Sequence, residues 1–214
     1  MSFSLNEVEA LAKRAARGSG LHWGLAEEAA KGVRWLARFG LPGPALLADL
    51  LILNDGAAHE DLTPSDLDGV WTAPAGRLSP LIAGAALSDC ADQLRHGSLR
   101  LGPVSQPMLL APFAAAAARY LGQGVALRWA GTTLLGDGTV LEISGDQAGA
   151  TAELVEHVEC ALADPPAKAL TSVERAEVDG QTWARLGVFA ARTYAPATEA
   201  SRLLGAGAGV SDND

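Results

Sequence analysis

Val125-Ala126-Leu127-Arg128-Trp129 is where the period of the chain changes. Val125, Leu127 and Trp129 alternate with Ala126 and Arg128, which gives one apolar face and one mixed face, the pattern of a half-buried strand. Two further runs, 132–135 and 139–143, flank Gly136-Asp137-Gly138, a three-residue hairpin loop with glycine available for a left-handed position. The stretch 151–162 reads two ways. As a strand it places Ala152, Leu154, Val158 and Cys160 on one face, interrupted by Glu156. As a helix its stripe is Leu154, Val155, Val158 and Leu162. The strand reading is preferred, because the meander then gains a partner, and Pro165-Pro166 stops either element.

Upstream the period is helical. Ser4 and Glu7 have capping-box spacing, and Val8, Leu11, Ala12, Ala15 and Ala16 recur on one face before Gly18-Ser19-Gly20. A second helix starts near Trp23, buries Leu25, Ala29, Val33, Leu36 and Ala37, and closes at Gly40 before Pro42. The run 45–53 is almost wholly apolar and predicts a helix buried on most sides. After a polar stretch over 54–69, helices are predicted over 78–94 and 112–121, the second with proline in its first turn and Gly122 beyond it. Downstream, 173–178 is a strand candidate, and Asp179 caps a long helix through Trp183, Leu186, Phe189 and Ala190. Ala195-Pro196 breaks that helix and a short one follows over 198–204. The expectation is an α+β fold in one domain, 1–214. In it, 1–54 is helical, 125–178 mainly strands with an antiparallel meander near 125–162, and 179–204 helical. The N-terminal and C-terminal helices pack together beside that small sheet.

Composition bounds the function. With 25 acidic against 16 basic residues the net charge is −9, so a general nucleic-acid or anionic-membrane surface is excluded, because phosphate binding rests on a basic patch. At 49% hydrophobic residues over 214 positions the chain needs no disulfide framework, and its two cysteines are too few for one. The first residues lack a secretory layout, and the longest uncharged stretch, 101–118, carries Pro103, Pro107 and Pro112. Arginine greatly outnumbers lysine, a bias common in GC-rich bacteria. A cytosolic bacterial protein is expected, without membrane or nucleic-acid partners.

Two constellations concentrate useful chemistry. The first is Arg14, Arg17, Gly18, Ser19, Gly20, His22 and Trp23: two arginines, a glycine loop and a following helix N-terminus can together hold an anion. His22 beside Glu27 or Glu28 supplies acid–base groups. The plain alternative is helix capping, with arginines at a helix C-terminus and carboxylates near the next N-terminus. The second runs from Arg192 through Tyr194, Thr198 and Glu199 to Arg202, where a helix breaks at proline and polar groups turn toward one place. Its plain alternative is a capped helix start at Thr198.

Other motifs carry less. Gly205 to Gly209 lacks the strand before and helix behind that a dinucleotide fingerprint needs. His59-Glu60-Asp61, Asp137, and His157 with Cys160 do not complete a metal site, and none is expected, nor any cofactor. There is no Gly-x-Ser-x-Gly elbow and no phosphate-binding Gly-x4-Gly-Lys loop. Cys90, beside Ser88, Asp89 and His96, reads as a core residue.

The opening Ser4-Leu5-Asn6-Glu7-Val8-Glu9-Ala10-Leu11 through Arg17-Gly18-Ser19-Gly20, with Trp23-Gly24-Leu25-Ala26-Glu27-Glu28 and Arg34-Trp35-Leu36, resembles an uncharacterised bacterial family catalogued as a domain of unknown function. The close, Arg192 to Arg202 with Gly205 to Gly209 and Ser211-Asp212-Asn213-Asp214, is similar to that family's end. The resemblance implies a complete protein over 1–214 and brings no activity. Two functions are therefore expected as alternatives. One is binding or turnover of a small anionic metabolite at a pocket built from both chain ends, through Arg14, Arg17, Arg192 and Arg202 with Tyr194, Thr198 and Glu199. The other is a non-catalytic accessory role as a homo-oligomer, favoured by alanine-rich helices.

Overall fold

The computed structural model describes residues 1–194. The short helix expected over 198–204, and with it Thr198, Glu199 and Arg202, lies outside them.

β1 (Ser2–Ser4) leads into α1 (Leu5–Gly18), whose capping box forms as its spacing dictates: the Ser4 hydroxyl accepts from the Glu7 N–H, and the Glu7 carboxylate accepts from the Ser4 N–H at 2.7 Å. The five apolar residues of its stripe are all buried. α2 (Trp23–Arg38) and α3 (Gly43–Leu53) follow, with α2 packed against α1 and α3. α3 buries most of its surface, but Ile52 and Leu53 at its end are half exposed.

α4 (Pro80–Asp89) is shorter than the expected 78–94. Proline sets its first turn, and the chain tightens into a 3₁₀ segment at Ala91–Arg95. α5 (Ala111–Leu121) ends at Gly122, whose φ of +67° suits a residue without Cβ. α5 lies between α2, α4 and the sheet. Its neighbours approach through small residues: a Cβ at Gly84 of α4 would sit 2.3 Å from the Phe113 ring.

The main sheet is larger than a meander. It comprises β2 (Val70–Trp71), β3 (Leu99–Leu101), β5 (Gly124–Trp129), β6 (Thr132–Gly136), β7 (Leu141–Gly145) and β9 (Val158–Ala163), in the order β2-β3-β9-β5-β6-β7. All neighbours are antiparallel except β2 and β3, so the sheet is mixed. The hairpin loop between β6 and β7 is longer than Gly136-Asp137-Gly138. Gly136 pairs with Leu141, and the Asp137 carboxylate accepts from the Thr139 and Val140 N–H groups.

The stretch 151–162 leaves a 3₁₀ turn at Thr151 and then carries two separate strands. β8 (Leu154–Val155) pairs with β4 (Val104–Ser105) in a separate small sheet, and β9 joins the main one. The break at Glu156-His157 resets the alternation, so Leu154 is exposed while Val155, Val158 and Cys160 are buried. β10 (Arg175–Glu177) pairs with β1, and α6 (Gly180–Ala191) follows, its Asp179 cap accepting from the Thr182 N–H at 2.9 Å.

One apolar cluster runs from α1 and α6 through α2 and α5 to the inner sheet face. The opposite sheet face carries Val70, Arg100, Glu159, Arg128, Thr133 and Ser144 in cross-strand register. No described helix is long and apolar enough to cross a membrane.

Candidate functional site

α1 ends directly against α6. A Cβ at Gly18 would lie 1.8 Å from the Phe189 carbonyl oxygen and 3.4 Å from the Arg192 Cβ, so glycine is what lets the two helix ends touch. The two arginine-bearing segments therefore meet at one corner. What each side chain does there is more specific than the sequence conveys.

Arg192 is committed to α3. Its Nη1 and Nη2 donate to the two Asp55 carboxylate oxygens at 2.7 and 2.9 Å, and its guanidinium lies 4.4 Å from the Phe189 ring centroid. The Arg192 guanidinium beside Asp55 holds that carboxyl below the usual range. Arg17 donates to the Leu21 carbonyl and stacks over Trp23 at 4.6 Å, rigidifying the α1–α2 turn. Arg14, by contrast, is exposed, and its Nη1 donates to the Tyr194 hydroxyl at 2.9 Å across the corner.

The carboxylates are likewise engaged. Glu27 accepts from Lys13 at 2.6 Å, which keeps it below the ordinary carboxylate range, and Glu28 accepts from Lys31 at 2.7 Å. Neither is hydrogen-bonded to His22 among the described residues. His22 instead sits exposed at the start of α2, edge-on to the His59 ring at 5.7 Å. The corner brings together Arg14, Arg17, Arg192 and Tyr194, whereas His22 stands apart from the two glutamates.

Beside the corner is a recess of about 120 Å³ whose walls include Ser19, Gly20, Leu21, Asn54 and His59. The Asn54 Oδ1 atom is buried and has no donor within reach among the described residues. A buried acceptor without a partner costs roughly 1–3 kcal/mol, so an N–H or O–H donor placed there would be held strongly. Asn54 and His59 line this recess; in the sequence His59 stands out only within His59-Glu60-Asp61 and Asn54 not at all, because α3 and the following loop are brought to the α1–α2 turn only by packing.

A broader groove of about 840 Å³ lies elsewhere, lined by Lys31, Arg34, Trp35 and Arg38 of α2 with Glu9 and Glu174. Arg34 is paired with Glu9 at 2.8 Å and Lys31 with Glu28, which leaves Arg38 as the cation of this groove without an ion pair among the described residues. Positions 31, 34, 35 and 38 fall on one helix face, a signal legible in the sequence. Among the described residues, no group of three or more His, Cys, Asp or Glu side chains is arranged to hold a metal ion.

Residues 3–79 match the model of a family described as a protein of unknown function, DUF3726. The matched stretch contains α1 to α3, with Arg14, Arg17, His22, Asn54, Asp55 and His59, and stops before α4; the similarity noted at the C-terminal end falls outside it. No curated protein matches the chain. Among solved structures it is similar to malate dehydrogenase from Entamoeba histolytica at 10% identity and a TM-score of 0.44, over 87% of this chain and 54% of that one. The chain thus spans about half the length of that structure.

Proposed function

We propose that this is a cytosolic bacterial protein that binds a small anionic metabolite at the corner formed by the α1–α2 turn and the ends of α3 and α6. The observation that carries the reading is the unpartnered Oδ1 of Asn54, a residue that lines a recess whose neighbours Leu21 and Asp55 are held by Arg17 and Arg192. An acid group of the ligand is received by Arg14 and the Tyr194 hydroxyl, two exposed groups that hold each other and no carboxylate among the described residues. A hydroxyl or amine on the same molecule donates to Asn54. Arg17 and Arg192 shape the corner through Trp23 and Asp55, and His22 with His59 stands at its edge. At about 30 Å³ per water, the recess holds roughly four waters, which restricts its occupant to part of a compact molecule. Thr198, Glu199 and Arg202 belong to the same proposal on sequence alone.

The test is a thermal-shift panel of organic acids, phosphates and amino acids. A ligand at a hundred times its dissociation constant adds about 2.7 kcal/mol to native stability, a readily visible rise in midpoint. The rise is expected to vanish in both Arg14→Ala and Asn54→Leu. A flat panel, or a rise that survives both substitutions, refutes the proposal.

A second reading, a non-catalytic accessory protein that self-associates, is favoured by one surface. Ile52 and Leu53 of α3 and Val188 of α6 are 48–61% exposed, framed by the Asp49–Arg185 and Asp55–Arg192 ion pairs that join these helices. Light scattering after gel filtration decides it: a dimer that Val188→Glu dissociates supports self-association through this face, and a strict monomer rejects it.

A further inference from the structure

The outer face of the main sheet carries three charged residues in one cross-strand row. Arg100 of β3 is opposite Glu159 of β9, and Glu159 is opposite Arg128 of β5. The order across the strands is therefore cation, anion, cation. At about 4.8 Å between neighbouring strands, the two arginine Cα atoms stand about 10 Å apart with the glutamate midway. The row floors a cleft of about 550 Å³, walled by Val70 at one side and Thr133 at the other, with His157 alongside.

Charge placed this way ordinarily neutralises itself. Oppositely charged cross-strand neighbours pair, and elsewhere in this acidic molecule Arg34, Arg95, Arg185 and Arg192 each hold a carboxylate. Here none of the three forms an ion pair with any described residue, and Glu159 bridges to neither arginine. All three groups stand open to one cleft. A single inorganic anion centred between the arginines would sit over the Glu159 carboxylate and be repelled. The complement of the row is instead a molecule with an acid group at each end and a protonated amine between them.

We infer that this cleft is a second binding site, one that takes a small amino-dicarboxylic acid, its two carboxylates on Arg100 and Arg128 and its ammonium on Glu159. Arginine matches a carboxylate with two parallel N–H donors, so each end is fixed in orientation as well as charge. The Thr133 hydroxyl, next in the row after Arg128, is available to one carboxylate. The site shares no residue with the corner, so loss of binding here and loss of binding there are read independently through different variants.

Isothermal titration of the full-length protein with L-glutamate, L-aspartate, glutarate and inorganic phosphate tests the inference. L-glutamate or L-aspartate is expected to bind more tightly than glutarate, which lacks the amine, and more tightly than phosphate. Arg100→Ala and Arg128→Ala should each weaken binding about tenfold or more, the fold-change that corresponds to one charge-assisted contact. Glu159→Gln should abolish the preference for the amino acid over glutarate. These side chains lie on the outer sheet face, and an unchanged circular dichroism spectrum verifies the fold of each variant. Glutarate or phosphate binding as tightly as the amino acids, affinities unmoved by both arginine substitutions, or no binding at millimolar concentration would each overturn it.

Discussion

Arg192 at the end of α6 grips Asp55, just past the end of α3, through two parallel hydrogen bonds, Nη1 to Oδ1 at 2.7 Å and Nη2 to Oδ2 at 2.9 Å. The contact joins residues 137 positions apart and clamps the end of α6 to the end of α3.

This clamp has a pH signature. Asp55 is more acidic in the folded chain than in the unfolded one, because the Arg192 hydrogen bonds favour its ionised form. Its contribution is therefore present above the unfolded value of about 3.9 and is lost as pH falls through the lower folded value. Glu7, Asp92, Asp137 and Asp179 are shifted the same way and share the acid limb. In urea titrations from pH 7 to pH 3, the stability gap between wild type and Arg192→Ala is expected to stay level above pH 5 and to close below about pH 4. A gap that persists into the acid would mean that the clamp is not electrostatic. Because both groups are exposed, the gap should be small.

Two glycines on the α1–α6 pair should respond with opposite signs. Gly18→Ala forces a methyl to within 1.8 Å of the Phe189 carbonyl oxygen, so α1 and α6 must part, at a cost of about 2 kcal/mol or more. Gly187→Ala, within α6, meets nothing within 4 Å and should stabilise the helix by about 0.5–1 kcal/mol. Denaturant midpoints of the two variants provide the check, and equal effects would contradict the packing.

The two thiols should differ in reactivity. Cys160 is fully buried on the inner sheet face, and burial pushes its thiol up to about 12, so almost no thiolate exists at pH 8. Cys90, at the end of α4, packs against the core but is only half-buried. Ellman's reagent should titrate at most one thiol in the native protein and two in guanidinium chloride. Rapid reaction of both without denaturant would refute the buried position of Cys160.

Trp71 should be among the costliest side chains to truncate. It is wholly buried on a two-residue strand, and its indole N–H donates to the Leu67 carbonyl at 2.9 Å. Trp71→Ala is expected to lose about 3–5 kcal/mol in urea unfolding. A loss near zero would mean that β2 does not pack as described.

The helices were legible because their information is local. Ser4 with Glu7, Asp179 with Thr182, and the apolar stripe of α1 lie within one or two turns of each other, so spacing alone specifies the contacts. The short strands were not. Val70–Trp71, Leu99–Leu101 and Val104–Ser105 contain too few residues to display a period, and they are strands only because distant partners complete their hydrogen bonds. The break at Glu156-His157 was hidden for a similar reason: two partners in different sheets impose it, and no residue announces it.

The candidate site divides along the same line. Composition and local spacing determined the α+β character, the caps and the clustering of arginines at both extremities, since each depends on near neighbours or on totals. Whether a guanidinium is spent on Asp55, shared with Tyr194 or left open on a sheet face depends on which carboxylates and hydroxyls the chain carries to it from far away. Only the tertiary structure decided that, because an ion pair is set by distance in space, and sequence separation does not constrain it.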